Sequence, residues 1–348
     1  MKGNIFMREK LGKFFDIALS IIIFMLIIIL IISFKKPKSE SELFIKNFKY
    51  TISKNEVYIV SANSEISEIT IPETVNINRK KYIVTKILDN AFADNSFLIK
   101  IVLPNSITSI GSNAFKNCTK LSSITIPEKC NFIGKNAFYN CVSVQEINYN
   151  STCDVVKTPL SGEIFNNVGK ENAVKIIFGK DVKNIPSYLF ATIKSEDAIN
   201  IDSIDFKTDK CLQIGEGSFI NTKINKLELP EQISVFGSDT FKGSTISEVM
   251  IKGSPEFLPD YMFYNCKNLQ QIFIPESVKI IGVRCFAESG LISINLSENT
   301  QYIGMSAFSN SKLQIINYNG SKDMWEKINI NVDKSQEFMN AKITFVEN

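Results

Sequence analysis

The stretch Ile107-Thr-Ser-Ile-Gly-Ser-Asn-Ala-Phe-Lys-Asn-Cys-Thr-Lys-Leu-Ser-Ser-Ile-Thr-Ile-Pro127 decides the fold, because the chain repeats it many times. Its Ala-Phe pair returns intact or in altered form on both sides, with phenylalanines at Phe92, Phe115, Phe138, Phe219, Phe241, Phe263, Phe286 and Phe308. Within each of these two series the spacing is 22 or 23 residues. A fixed period of this length predicts a solenoid, in which each short coil buries its apolar groups by stacking on its neighbours.

Each copy contains a strand, a corner and a turn. The strand is an apolar alternation that usually stops at proline, as in Ile124-Thr-Ile-Pro127, and alternation of period two predicts one buried face. Glycine follows in several copies, as at Gly111, which suits a corner that needs positive φ or a close backbone approach. We expect the Ala-Phe pair to lie in a turn of helix or 3₁₀, with the phenylalanine filling the interior.

The repeated phrase resembles the BspA-like class of leucine-rich repeat, loosely written Ile-Gly-x-x-Ala-Phe-x-x-Cys-x-x-Leu-x-x-Ile-x-Ile-Pro. The copies at 107–127 and 278–296 match it well, whereas the copy at 256–275 has Pro259 in place of glycine. The resemblance covers residues 43–348 and implies a repeat solenoid of short strands and turns or 3₁₀ segments in coils of 22–29 residues. For function it implies a surface-exposed binding or adhesion protein, as in bacteria and some protists, and no catalytic motif.

The chain divides into six predicted parts. They are an N-terminal cytoplasmic tail at 1–16, a transmembrane signal anchor at 17–34, a stalk at 35–47, an N-terminal cap at 48–90, the solenoid at 91–312 and a C-terminal cap at 313–348. In the N-terminal cap we expect a hairpin turning at Lys54-Asn-Glu56, and in the C-terminal cap a terminal helix that holds Trp325. Trp325 is the only tryptophan, and we interpret it as a core anchor rather than a ligand platform. The run 147–206 departs from the simple repeat and is interpreted as two longer coils with inserted loops, the alternative being a break between two solenoids.

The segment 17–34 is almost wholly apolar. Eighteen helical residues span about 27 Å, enough for a hydrocarbon core. The run is longer than the apolar part of a secretory signal and no Ala-x-Ala cleavage site follows, so we favour an uncleaved anchor over a cleaved signal peptide. Four basic residues precede it and three follow, which slightly favours an internal N-terminus with external repeats.

The composition argues against catalysis, metal binding and nucleic-acid binding. The chain has no histidine, which removes Ser-His-Asp and Cys-His catalysis and histidine-ligated metal sites, and it has no glycine-rich phosphate loop. The net charge is +3 without a basic run, so nucleic acid is not an expected partner. Of seven cysteines, Cys118, Cys141 and Cys266 share one repeat position, where we expect buried free thiols rather than disulfides. We therefore predict no enzyme activity, no cofactor and no metal.

The outward positions of the stacked strands are the predicted place of binding. Between the inward isoleucines, one row reads Thr70, Val102, Thr125, Asn148, Ile177, Asp205, Glu228, Met250, Phe273, Asn295 and Asn317. From this row we select Asp205, Glu228, Met250, Phe273 and Asn295 as the candidate ligand-binding residues, because the stretch from Ile177 to Phe273 mixes acidic and exposed apolar groups, and apolar patches of this kind mark interaction sites. The alternative is that these side chains only shield the sheet from solvent.

Two functions fit these observations. The first is a membrane-anchored surface protein that binds a protein or a cell-surface polymer. The second is a structural spacer or envelope-assembly scaffold whose partner belongs to the same cell. An enzyme would need a deep pocket with convergent polar groups, which a flat sheet rarely supplies.

Overall fold

The computed structural model describes residues 43–45, 47–331 and 336–346. Apart from Leu43, these residues belong to one compact unit, Phe44–Asn348. The predicted cytoplasmic tail, the predicted anchor at 17–34 and most of the predicted stalk lie outside the described residues. Within the described ranges, no helix has the length and apolar character needed to cross a membrane.

The chain enters the solenoid through an antiparallel hairpin. Strands β2 (Phe48–Ser53) and β3 (Glu56–Ala62) pair across a turn in which Lys54 has φ +55°, and this pairing confirms the predicted hairpin. Strand β5 folds back antiparallel on β6, and β6 runs parallel to β3 and leads into the first coil. The strands of this entry region are β1 (Leu43–Ile45), β2 (Phe48–Ser53), β3 (Glu56–Ala62), β5 (Thr74–Ile77) and β6 (Lys80–Ile87).

Every coil contributes one strand to a first parallel face, which we name the broad face. Inward isoleucine, leucine and valine side chains alternate with outward ones along it, as the period of two predicted. Its strands are β4 (Glu68–Thr70), β7 (Lys100–Val102), β9 (Ser123–Ile126), β11 (Glu146–Tyr149), β12 (Val174–Phe178), β14 (Ile201–Phe206), β16 (Lys226–Leu229), β18 (Glu248–Ile251), β20 (Gln271–Phe273), β22 (Ser293–Ser297), β24 (Ile315–Asn319) and β26 (Lys342–Phe345).

Shorter strands form a second parallel face, the narrow face, on the other side of each coil. It is hydrogen-bonded in three stretches, the first of which continues from β6. Its strands are β8 (Ser109–Ile110), β10 (Phe132–Ile133), β13 (Asn184–Ile185), β15 (Leu212–Ile214), β17 (Ile233–Phe236), β19 (Phe257–Leu258), β21 (Ile280–Ile281), β23 (Tyr302–Ile303) and β25 (Asn329–Ile330).

A continuous stack of phenylalanine rings forms the core between the two faces. The centroids of successive rings lie 4.9 to 5.5 Å apart and the rings are within 26° of parallel, which is an offset-stacked arrangement. The stack runs through Phe92, Phe115, Phe138, Phe165, Phe190, Phe219, Phe241, Phe263, Phe286, Phe308 and Phe338. Because it passes unbroken from Phe138 to Phe219, the run 147–206 holds two longer coils of one solenoid and not a break between two.

The Ala-Phe segments are not helical, so the expectation of a turn of helix or 3₁₀ was wrong for them. They form successive hydrogen-bonded turns, and the described 3₁₀ helix, Ser195–Asp197, lies in a longer coil. The reason is positive φ on both sides of the pair, at one residue just before the Ala position and one two residues after the phenylalanine; the coil of Phe190 has only the first, at Tyr188. Asn113 and Asn117 are an example, with φ of +55° and +59°. Asparagine tolerates this left-handed conformation, which a helix cannot contain.

Glycine at the corner serves close approach rather than positive φ. A Cβ added to Gly134 would lie 2.4 Å from the backbone nitrogen of Ser112 in the preceding coil, and one added to Gly111 would lie 2.6 Å from the backbone nitrogen of Asp89. Neither glycine has positive φ. The corner is therefore a place of close backbone approach between neighbouring coils.

The repeated cysteines are buried and free, as predicted from their position. Each thiol donates to the carbonyl oxygen of the phenylalanine one coil earlier, at 3.1, 3.2 and 3.1 Å for Cys118, Cys141 and Cys266. Burial raises the pKa of Cys118 and of Cys266 to about 12. These thiols therefore stay protonated and act as small packing groups.

The C-terminal end carries the predicted helix as a short one, α1 (Lys322–Trp325), followed by α2 (Gln336–Asn340). Ser321 caps α1 by accepting a hydrogen bond from the Met324 N–H. Trp325 is half-buried, and its ring centroid lies 5.2 Å from that of Tyr318 and 6.2 Å from that of Phe338. It packs against the end of the ring stack, which is the role interpreted for it from the sequence.

Candidate binding surface

The outward side chains of the broad face stand in one row, because the strands pair in parallel at the register expected from the repeat. Asn148 is aligned with Thr125 and Ile177, and Ile177 with Asp205. Farther along, Glu228 is aligned with Met250 and Met250 with Phe273. A third stretch aligns Asn295 with Asn317 and Asn317 with Thr344.

The structure places the five candidate residues in three different stretches of this row. Glu228, Met250 and Phe273 are direct neighbours on β16, β18 and β20. Asp205 lies at the last strand of the preceding stretch, across from Glu228. Asn295 begins the next stretch, where its side-chain oxygen accepts a hydrogen bond of 2.8 Å from the Asn317 side-chain amide.

The middle of the row combines an exposed aromatic ring with ion-paired carboxylates. The Phe273 side chain is 45% exposed and Met250 is half-buried, so the two form a small apolar patch. The carboxylates around it are paired with lysines: Asp205 with Lys207 at 2.7 Å and Lys175 at 3.8 Å, Glu248 with Lys226 at 2.6 Å, and Glu228 with Lys252. Pairs this exposed to solvent contribute little to stability, about 0–1 kcal/mol each, and remain available to a partner.

A cleft opens in the broad face beside this patch. The face consists of four hydrogen-bonded stretches, β4–β7, β9–β14, β16–β20 and β22–β26. At the break between β14 and β16, almost every Cα–Cα distance between the two strands exceeds 8 Å, whereas strands at the other two breaks come closer. A pocket of about 300 Å³ lies there, lined by residues of β14, β16 and β18 that include the candidate residues Glu228 and Met250.

The cleft arises from the long coil between Phe190 and Phe219, which are 29 residues apart. The pairing of β12 with β14 shifts register after Val174, so that Asp202 is an extra residue on β14. Asn200 still bridges to Lys223 of the next coil. Beyond that bridge, no backbone hydrogen bond joins residues 202–206 to residues 225–229 among the described residues.

The sequence interpretation missed an apolar stripe on the narrow face. Phe257 and Ile280 are aligned in register and are 40% and 36% exposed, and Val235 of the neighbouring β17 is 48% exposed. A pocket of about 380 Å³ lies next to them, bounded by 154–156, 184–187, 213–215 and 235–237. The sequence did contain a signal for this stripe. Each of these short strands carries two adjacent apolar residues, and only one residue of such a pair can point inward.

In the part of the chain that the structure describes, no group of three or more Cys, Asp or Glu side chains is arranged to hold a metal ion. The features that remain for function are surfaces: a row of outward side chains, a cleft in the broad face and an apolar stripe on the narrow face. Parallel coils of this length, with a repeated Leu-x-x-Ile-x-Ile strand and a stacked aromatic core, define a leucine-rich repeat solenoid.

Comparison with known families identifies the class more closely. The family described as BspA type leucine rich repeat region matches residues 85–206 and 183–315 in six copies. The chain therefore belongs to the BspA-type leucine-rich repeat family. No curated protein matches the chain.

Several solved structures are similar to it at low identity. A leucine rich cell surface protein from Faecalibacterium prausnitzii is 19% identical over 85% of this chain and 99% of its own, with a TM-score of 0.40. A leucine-rich repeat protein from Bacteroides ovatus is 18% identical over 88% of this chain and 100% of its own, with a TM-score of 0.34. The pneumococcal vaccine antigen PcpA is 15% identical over 88% of this chain and 94% of its own, with a TM-score of 0.39.

Proposed function

We propose that this chain is a non-catalytic surface protein that binds another protein or a cell-surface polymer through the broad face. The observation that carries the proposal is the exposed Met250–Phe273 patch, which is flanked by ion-paired carboxylates and adjoins the cleft. Aromatic side chains near the centre of a contact with charged groups at its rim are the usual composition of a protein interface. Membership of a family of surface repeat proteins supports the same direction.

The finer part of the proposal concerns location. The apolar run 17–34 anchors the chain in a membrane as a single-pass segment, with the repeats outside the cell, in an adhesion-like role. Protease shaving of intact cells, read with an antibody against residues 43–348, tests this orientation. Loss of the antibody signal on intact cells is expected, and protection until the cells are lysed would contradict an external location.

Binding is tested with the purified full chain on immobilised extracellular-matrix protein preparations and on purified envelope polymer. The double variant M250S/F273S is expected to weaken binding about tenfold or more, because removing buried apolar anchors at an interface costs about 1–2 kcal/mol each. The matched control is V235S/F257S, which removes one aliphatic and one aromatic exposed side chain from the narrow face. Equal loss in both double variants, or no loss in M250S/F273S, would contradict binding through the broad face.

A second function, the structural scaffold that binds a partner of the same cell, is favoured by the apolar stripe on the narrow face. It predicts the reverse pattern, in which V235S/F257S abolishes association and M250S/F273S does not. Analytical ultracentrifugation of both variants at several concentrations separates this function from the first when the partner is a second copy of the chain.

A further inference from the structure

The cleft between β14 and β16 exposes two facing strand edges. The Lys207 N–H bonds to the Phe178 carbonyl on the β12 side, so alternation along β14 turns the N–H and C=O of Ile204 and Phe206 toward β16. On the other edge, the Lys252 N–H bonds to Leu229 on the β18 side. The backbone groups of Lys226 and Glu228 therefore point back toward β14, and within the described residues none of these groups has a backbone partner.

The two edges are farther apart than paired strands, as the insertion of one strand would require. Hydrogen-bonded neighbours stand about 4.8 Å apart, so two edges bridged by one strand stand about 9.6 Å apart. Almost every Cα–Cα distance between β14 and β16 exceeds 8 Å. The edges are therefore too far apart to bond each other, and both run in the same direction along the broad face.

The side chains at the cleft are also left partly uncovered. Ile204 and Phe206 are half-exposed, whereas the residues aligned with them on β12, Ile176 and Phe178, are fully buried. An inserted strand with apolar residues facing inward would cover this floor. Its central outward residue would lie in the row between Asp205 and Glu228. A lysine or arginine there would compete with Lys207 and Lys252 for these carboxylates, and oppositely charged neighbours across strands stabilise pairing.

We propose that the cleft receives an extended segment of a protein partner as an additional β-strand, with the pattern apolar–basic–apolar. The inserted backbone would donate to and accept from Ile204 and Phe206 on one side and from Lys226 and Glu228 on the other. Main-chain hydrogen bonds would supply affinity and the alternate side chains specificity, as in other cases of strand addition to a sheet edge. The inference rests on the proposed binding function and specifies how the partner is recognised.

The probe is a display library of random nine-residue peptides, panned against the immobilised full chain. Enriched peptides are resynthesised with and without N-methyl groups on alternate backbone nitrogens, because N-methylation removes the donors that a strand needs. We expect enrichment of apolar–basic–apolar peptides and about a tenfold or greater loss of affinity in each of the two N-methylation registers, because one register removes the donors to β14 and the other removes the donors to β16. Hydrogen–deuterium exchange of the complex is expected to slow at residues 203–206 and 225–229.

Two variants of one residue separate backbone from side-chain recognition. Glu228→Gln keeps the N–H that faces the cleft and removes the charge, whereas Glu228→Pro removes both. Proline is tolerated at a strand position whose N–H is unpaired, so the fold should persist, which far-UV circular dichroism checks. We expect Glu228→Pro to bind the peptides about fivefold more weakly than Glu228→Gln, the effect of one lost hydrogen bond.

Several outcomes would overturn strand addition. They are no enriched peptide, affinity that is insensitive to N-methylation in either register, or exchange that slows only outside the two edges. Slowed exchange of the free chain at these edges with rising concentration would indicate that a second copy occupies the cleft instead. If M250S/F273S still abolishes binding to the matrix or polymer surfaces while the peptides fail, strand addition is wrong and the proposed binding function stands.

Discussion

The ring stack makes a quantitative prediction for Phe241, which lies in its middle. The side chain is fully buried, and its ring centroid is 5.5 Å from that of Phe219 and 5.5 Å from that of Phe263. Truncation of a buried phenylalanine to alanine costs about 3–5 kcal/mol, and each stacked pair adds about 0.5–1.5 kcal/mol beyond burial. With two stacked neighbours in a rigid column, we expect Phe241→Ala to cost about 4–5 kcal/mol.

The assay is guanidinium unfolding of the full chain, followed by far-UV circular dichroism. Phe241→Leu keeps most of the apolar volume but removes the ring, and is expected to cost about 1–2 kcal/mol. Phe132→Ala is the surface control, because that side chain is substantially exposed on the narrow face and its loss should stay within about 0.5 kcal/mol. A cost for Phe241→Ala below about 1.5 kcal/mol, or equal to that of Phe132→Ala, would refute the argument that the stack is the core.

The same substitution tests whether coupling is limited to neighbouring coils. The pair Phe241→Ala and Phe263→Ala shares a stacked contact, so their costs should deviate from additivity by about 0.5 kcal/mol or more. Phe115 is separated from Phe241 by the rings of Phe138, Phe165, Phe190 and Phe219, and that pair should add within about 0.3–0.5 kcal/mol. Non-additivity at the distant pair would mean that the solenoid behaves as one indivisible core.

Three further predictions concern the corners and the thiols. Gly134→Ala should cost about 1–3 kcal/mol in chemical unfolding, because its Cβ would lie 2.4 Å from the Ser112 backbone nitrogen; an unchanged midpoint would show that the corner can relax. Burial raises the pKa of Cys118 and of Cys266 to about 12, against an ordinary 9.0. The contribution of each protonated thiol to the free energy of unfolding is therefore fully present below about pH 9 and falls by about 1.4 kcal/mol per pH unit as the pH rises toward 12. Cys118→Ala should make this fall of the unfolding free energy less steep. At neutral pH a maleimide should label the exposed Cys211 rapidly and Cys118 only after unfolding, and rapid labelling of Cys118 in the folded chain would contradict its burial.

The architecture was predictable because the information repeats. A period of two within each strand and a period of 22 or 23 between phenylalanines are independent signals, and both require one inward face per coil. The same alternation predicted the register of the outward row, including the alignment of Glu228 with Met250 and Phe273. A copy that departs from the repeat pattern at one position still matches it at the others, so the prediction of the fold is unaffected by a departure such as Pro259 at a glycine position.

The conformation of the Ala-Phe segment was not predicted correctly, although its signal is local. Asn113 and Asn117 flank the pair, and asparagine is the residue that most readily adopts positive φ after glycine. The Asn117 side chain also donates to Asp94 at 2.7 Å and accepts from Asn140 at 3.0 Å, linking successive coils. A short apolar pair alone is compatible with a helical turn, whereas the flanking asparagines favour left-handed corners.

The cleft could not be predicted, because coil length alone does not say where extra residues go. The 29 residues between Phe190 and Phe219 could all have formed an outward loop. Instead the two coils stay in contact at three places: their rings are 5.4 Å apart, Asn184 is aligned with Gln213 on the narrow face, and Asn200 bridges to Lys223. The separation is therefore confined to β14 and β16, and contacts elsewhere between the two coils fix the positions of both edges. Edges fixed in this way would lose little conformational entropy when a strand enters, so under the proposed strand addition we expect the cleft to bind an extended segment more tightly than the closed rows beside it.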